Sequence, residues 1–274
     1  MNDRLKTILA AFTQGQGHLL MLTGEGVAAE CGLAPFREDP RPFSFAGSDY
    51  TSRDLLTRRL YDQAPEAVWA WHLTRLEEAR QVQPGPAHRA VAAIARAHAN
   101  RVGVITECVD GLQRRTPLPP DRFFEPQGNL FAMRCLADCT LTVYPVPRSL
   151  YGWKAEKLPE RADWQLPRCP ACGGPVRPHV LWRDEIYNEV NYRLNTILAE
   201  ARRTDLLIVA GFSGHTNLAN KVAWEVSLNH RARIIDINPV LNPVAALARR
   251  TGGEALQASP AEVLPQVQSL LKIA

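Results

Sequence analysis

No apolar run in the 274-residue chain approaches the ~20 residues that a helix needs to cross a bilayer. The opening residues Met1-Asn2-Asp3-Arg4-Leu5-Lys6 lead into an amphipathic pattern and lack the apolar core of a secretion signal. No low-complexity tract, no repeat of fixed period and no block of one charge sign is present. Arginines are scattered, and the formal net charge is only +4, so a solvated surface is expected rather than a nucleic-acid face. These absences leave a soluble, cytoplasmic protein with neither nucleic acid nor membrane as partner. In that compartment the six cysteines are expected to be thiols or metal ligands, not a disulfide frame.

What the chain does have is alternation. Short runs rich in β-branched and aliphatic residues occur at His18–Thr23, Arg101–Thr106, Leu141–Val146, Asp205–Ala210, Arg233–Ile237 and, more weakly, Ala255–Ala258. Between them, Ala64–Gln81, Ala87–Asn100, Val190–Arg203 and Leu218–Asn229 repeat apolar residues at helical spacing. Strand–helix alternation predicts an α/β fold with a mostly parallel, Rossmann-like sheet and helices on both faces. Ligands on such sheets bind at the C-terminal strand ends, where Gly24, Glu107, Gly211 and Asn238 fall. Two stretches interrupt the rhythm: Glu38–Gln83, a proline-containing aromatic loop continuing as helix, and the proline-rich Cys135–Cys172. The expected division is a dinucleotide-binding domain from 1–38, 84–132 and 176–274, with 39–83 and 133–175 forming a smaller helical and zinc-ribbon module.

Thr23-Gly24-Glu25-Gly26-Val27 ends one strand and opens a helix. Glycines there let the backbone approach a pyrophosphate while helix amides point at it, although any tight strand–helix turn also calls for glycine. Glu25 must then turn its charge outward or have it neutralised, since a bare carboxylate would repel phosphate. Cys135, Cys139, Cys169 and Cys172 form two short pairs separated by 29 residues. Four thiolates from two knuckles suit a closed, structural Zn2+ site, and the Gly-Gly after Cys172 favours the second knuckle. The first pair is one residue wider than usual, so a decayed site is the alternative.

Taken in order, the motifs resemble those of the sirtuins, NAD-consuming protein deacylases. Gly24-Glu25-Gly26 with Cys31-Gly32-Leu33-Ala34-Pro35-Phe36-Arg37 is similar to the family's first signature. The resemblance implies that Phe36 shields the reactive ribose and that Arg37 lies near the phosphates. Thr106-Glu107-Cys108-Val109-Asp110-Gly111-Leu112-Gln113 resembles the run Thr-Gln-Asn-Ile-Asp-Gly-Leu-His, which puts Asp110 beside the nicotinamide amide. Glu107 replaces a neutral amide there, and Cys108 replaces an asparagine; as a nucleophile Cys108 competes with the commoner reading of a buried inert thiol. Gly211-Phe212-Ser213-Gly214 and Ile235-Asp236-Ile237-Asn238 resemble the phosphate and adenosine motifs, with Ser213 on phosphate or ribose and Asn238 on the adenosine ribose. Val180-Leu181-Trp182-Arg183-Asp184-Glu185 resembles the segment against which an acyl-lysine peptide pairs by strand addition; Arg183 and Asp184 depart from it. Pro84-Gly85-Pro86-Ala87-His88 resembles a helix entry, where His88 is structural.

The sharpest departure is Gln127, in Phe123-Phe124-Glu125-Pro126-Gln127-Gly128-Asn129, where the family places its catalytic histidine. A neutral amide cannot accept a proton, and loss of a positioned base costs ~10²–10⁴-fold in rate. Gln127 can still hydrogen-bond and orient a ribose. The segment is also similar to the macrodomain-linked sirtuins, a microbial branch that carries glutamine here and acts in protein ADP-ribosyl transfer, but keeps the asparagine replaced by Cys108. The resemblance therefore implies NAD as co-substrate, structural Zn2+, and a protein substrate or partner. ADP-ribosyl transfer, NAD hydrolysis or weak deacylation is expected ahead of efficient deacetylation. The competing class is a catalytically inactive NAD or ADP-ribose sensor or scaffold.

Overall fold

Alternate side chains of each parallel strand reach opposite faces of the sheet. Leu19, Met21, Val102, Val104, Leu206 and Ile208 join one buried core, whereas Leu20, Leu22, Ile105, Leu207 and Val209 join another. Both faces are thus covered, which is why these runs are continuously apolar. The computed structural model describes residues 3–152, 165–212, 214 and 216–271. In chain order its strands are β1 (Leu19–Thr23), β2 (Phe43–Phe45), β3 (Ser48–Tyr50), β4 (Val102–Thr106), β5 (Phe123–Phe124) and β6 (Gly128–Cys135). Then follow β7 (Tyr144–Pro145), β8 (Val176–Val180), β9 (Leu206–Ala210), β10 (Arg233–Ile237) and β11 (Glu254–Leu256).

The main sheet has six strands in the order β11-β10-β9-β1-β4-β5, all neighbours parallel. Order reverses across β1, and ligands of open α/β sheets lie at such a switch point. Helices Asp3–Gln14, Pro86–Ala97 and Pro260–Leu271 supply one face; Leu194–Arg202, Asn217–Ser227 and Pro243–Arg250 supply the other. No helix among the described residues is long and apolar enough to cross a membrane.

A third core gathers Phe36, the helix Pro65–Gln81, and the antiparallel sheet β7-β6-β8. Cys135 and Cys169 are buried in it. Two expectations need correction here. Leu141–Val146 contributes only Tyr144–Pro145, paired antiparallel to β6 and not part of the parallel sheet. Leu141 and Val143 stand 77% and 40% exposed, and only the end of the run, Tyr144 and the buried Val146, packs into the third core. The helix expected over Val190–Arg203 is broken at Arg193, whose left-handed φ of +55° separates Glu189–Tyr192 from Leu194–Arg202. The loop after Glu38 also contains a hairpin, β2–β3, that its prolines and aromatics did not announce.

Candidate active site

Three glycines make the floor of a crevice at the ends of β1, β4 and β9. Gly24 N donates to Ala210 O at 2.9 Å, and Gly26 N to Gly211 O at 2.9 Å. A Cβ on Gly24 would stand 2.5 Å from Gly211 O, and one on Gly26 would stand 2.8 Å from Gly211 Cα. Gly211 itself has φ +66°, and its Cβ would lie 2.6 Å from Val27 N. These glycines are therefore required by the packing of one loop on the other, whatever the crevice holds.

Above that floor is a cavity of about 240 Å³ whose walls include Glu25, Arg37, Glu107, Gln127, Phe212 and Thr216. Arg37 donates from Nε to Gln127 Oε1 at 2.7 Å and from Nη2 to Leu181 O at 2.8 Å. Gln127, almost fully buried, passes the chain on by donating to Tyr187 OH at 3.0 Å. The Glu107 carboxylate is buried at the end of β4 and accepts the Thr216 hydroxyl at 2.8 and 2.7 Å. Burial pushes its pKa up to about 7; the Thr216 hydrogen bond, Arg37 and Gln127 oppose the rise.

Glu25 does not point outward. Its Oε1 accepts the amides of Phe36 and Arg37, each at 3.3 Å, and so ties the Phe36–Arg37 loop to the glycine turn. Burial raises its pKa, and the two amides and Arg37 offset part of that rise. The same loop is pinned from behind by Arg75, which donates to Ala34 O at 2.5 Å and to Asp39 at 3.0 Å. Phe36 leans on Trp71 and His72, with ring centroids 4.8 and 5.8 Å away.

Behind Phe36 lies a second chamber of only about 20 Å³, bordered by Asp110, Cys108 and Leu130. That is room for roughly one water. Asp110 accepts Leu112 N at 2.7 Å, and burial lifts its pKa to about 6. The Cys108 thiol donates to Gly24 O at 3.2 Å; burial and the Asp110 carboxylate push its pKa well above the ordinary value. Such a thiol favours its protonated form, which supports the inert reading of Cys108 over the nucleophile one. His88 sits at the entry to its helix, where Nδ1 accepts Gly85 N at 3.3 Å, and burial lowers its pKa to about 4.

Asn238 lies at the end of β10, beside the Gly211 loop, whose amide donates to Ile237 O at 3.1 Å. Its side-chain amide donates to Asp236, so it stands near the crevice without lining either chamber. Ser213 lies outside the described residues. A groove of about 280 Å³ continues from Arg37, Glu38 and Thr216 along Leu181–Glu185 to Tyr187. The amides of Leu181, Trp182 and Arg183 are all occupied, by Gln127 O, Glu185 and Leu56 O respectively. Asp184 accepts the amides of Arg58 and Arg59 at 2.8 and 3.1 Å, capping the helix Arg58–Gln63 and facing away from the groove's work.

Cys135, Cys139, Cys169 and Cys172 bring their sulfurs within 4.8 Å of one another. Two pairs measure 3.8 and 3.7 Å, far beyond bonding distance for a disulfide. Sulfurs ~2.3 Å from a common tetrahedral centre stand ~3.8 Å apart, so the four fit a zinc ion. All four positions are filled by the chain, which makes the site structural. Thr216, Tyr187 and Arg75 were not foreseen from sequence. Their partners lie 109, 60 and 36 residues away, and no local pattern encodes such pairings.

The sheet topology and the crevice at its switch point define an α/β protein of the dinucleotide-binding class with a four-cysteine zinc module. More narrowly, the chain belongs to the Sir2 family, whose model matches residues 24–217. It is 32% identical to NAD-dependent protein deacylase 1 of Pseudomonas aeruginosa, over 92% of this chain and 94% of that one. It is 34% identical to the NAD-dependent protein deacylase of Ralstonia nicotianae, over 84% and 83%. A Sir2 homologue mutant solved with ADP-ribose superposes with a TM-score of 0.78 at 27% identity, covering 99% of this chain and 97% of that one. A Sir2 homologue solved with NAD gives 0.77 at 26% identity, covering 97% and 93%.

Proposed function

We propose that the protein is an NAD-consuming, protein-modifying enzyme that releases nicotinamide and passes the ADP-ribosyl group to an acceptor. The observation that carries this reading is the state of Arg37. Its half-buried guanidinium donates to neutral acceptors, Gln127 and the Leu181 carbonyl, with Glu25 and Glu107 acting on it without a hydrogen bond, at the mouth of a cavity built on a glycine floor. Burial lowers the pKa of Arg37, a cost that an anionic ligand would relieve. A pyrophosphate beside Arg37 and the Gly24–Gly26 turn meets that need. NAD, when bound, supplies a cationic nicotinamide leaving group on an activated ribose carbon. Phe36 would exclude water from that carbon, Asp110 would face the nicotinamide amide, and Gln127 would orient the ribose hydroxyls. Asn238 would reach the adenosine ribose. The named relatives are protein deacylases, and the groove along Leu181–Tyr187 opens beside the same cavity, which supports a protein acceptor. Incoming main chain cannot use the three occupied amides, so the groove's side chains must carry most recognition.

The small size of the chamber around Asp110 favours one second reading, an NAD or ADP-ribose sensor without turnover. Incubation with NAD and an acetyl-lysine peptide separates the two. An enzyme yields free nicotinamide together with deacylated peptide, ADP-ribosylated protein or free ADP-ribose, each distinguished by mass. A sensor returns NAD and peptide unchanged.

A further inference from the structure

The chain treats its buried carboxylates unequally. Asp39 is met by both Arg41 and Arg75, and Glu77 by Arg80, whereas the hydrogen bonds to Asp110, Asp236 and Glu107 come from neutral donors. Glu107 is as buried as Asp39, yet among the described residues it forms no salt bridge: it accepts the Thr216 hydroxyl, and the Gln127 side chain also acts on it. An acid kept in the interior for structure alone is ordinarily paired, because an unpaired buried charge is costly. Glu107 moreover borders the same cavity as Gln127, Arg37 and the glycine floor. By the resemblance described above, Glu107 stands in the Thr106–Gln113 motif where a neutral amide is expected and Gln127 in the Phe123–Asn129 motif where a base is expected, so the two positions have exchanged chemistry: an acceptor where the amide is expected, an amide where the acceptor is expected.

We infer that Glu107 is the proton acceptor for the NAD-consuming reaction, taking the role that Gln127 cannot fill. The inference rests on the reading of the site given above. In the step, the bond between nicotinamide nitrogen and ribose carbon breaks, and its electron pair neutralises the nicotinamide ring. A hydroxyl oxygen, from the acceptor or from water, bonds to that ribose carbon and gives its proton to a Glu107 oxygen, which later releases it to solvent. Thr216 fixes the rotamer of the carboxylate. The charged and titratable groups that act on Glu107 are Arg37, which favours the anion, and Glu25, which opposes it; Cys108 and Tyr187 feel Glu107 in turn. A carboxyl titrating at about 7 is half ionised near neutrality, so it both accepts and returns a proton readily.

The test pairs a pH–rate profile of ADP-ribosyl product formation from NAD with calorimetric titration by ADP-ribose in two buffers of different ionisation enthalpy. Wild-type rate is expected to rise through a single ionisation near pH 7. Glu107→Gln should lose the rising limb and on the order of 100-fold in rate while still binding ADP-ribose. Gln at this position retains an acceptor for Thr216, so the fold is kept. Joining it to Gln127→His, which moves the base to the other position, should restore part of the rate with a new limb. In calorimetry, the buffer-dependent proton exchange on binding should vanish in Glu107→Gln. A Glu107→Gln variant with wild-type rate, limb and proton exchange overturns the assignment and leaves the NAD-consuming reading standing. Wild-type protein that binds ADP-ribose yet forms no product overturns both.

Discussion

Glu107 and Cys108 are adjacent, equally buried, and bordered by two other acids, Glu25 and Asp110. Their titration has consequences for stability. The Glu107 carboxyl is raised from 4.5 to about 7, so below 4.5 both folded and unfolded states are protonated and there is no penalty. Between 4.5 and 7 the unfolded state ionises while the folded state holds its proton, and stability falls as pH rises. Above 7 the penalty is constant. Glu107→Gln is accordingly expected to raise the thermal midpoint at pH 8 and to leave it unchanged near pH 4, as followed by circular dichroism. Equal shifts at both pH values would contradict a buried, under-compensated acid. At this scale the sequence was informative about identity and silent about surroundings. Glu107 and Gln127 stood out against the motifs the sequence resembles, but the Thr216 hydroxyl that holds one and the Tyr187 hydroxyl that holds the other arrive from distant loops. The inward turn of Glu25 was hidden for the same reason: its carboxylate accepts two backbone amides, those of Phe36 and Arg37, from a separate loop.

The glycine turn after β1 and the Gly211 loop after β9 form one packed unit, and its tolerance is small. Gly211→Ala places a side chain at φ +66° and 2.6 Å from Val27 N. The conformation alone costs ~1–3 kcal/mol, and the clash adds to it. The variant should unfold at lower temperature and lose ADP-ribose affinity together, since the two loops would part. Loss of affinity with no change in stability would instead show a glycine kept for ligand approach. Arg75→Met tests the opposite side of the site. Without its hold on Ala34 and Asp39, the Phe36–Arg37 loop should loosen, raising the KM for NAD more than it lowers kcat. Elements buried on both faces of the sheet were legible because continuous apolar runs leave few alternatives. Tyr144–Pro145 and the hairpin β2–β3 were not, being short and dependent on partners; the break at Arg193 carries no glycine or proline to announce it.

The described residues form three large cores, two flanking the parallel sheet and one joining Phe36, the helix Pro65–Gln81 and the cysteine-bearing sheet, besides a small cluster of Ala28, Cys108 and Leu112. Cys135 ends β6, the strand that begins one residue after Gln127. The zinc knuckles and the Gln127 end of the crevice are thereby connected through a single strand. Cys169→Ser should abolish bound zinc by elemental analysis and lower the unfolding midpoint, with NAD consumption falling as β6 loosens. Full zinc content in that variant would show that the cluster is not the metal's site. The cysteine spacing alone pointed to this site. The link from knuckle to Gln127 is a property of the fold, visible only once β6 is seen to run between them.

Nicotinamide liberated from NAD by the purified, zinc-loaded protein tests the central claim most directly. The account predicts release over many turnovers, increasing from pH 6 toward pH 8 as Glu107 ionises near 7. NAD recovered intact across that range, from protein that binds ADP-ribose in the same buffer, would contradict it and leave a sensor in its place.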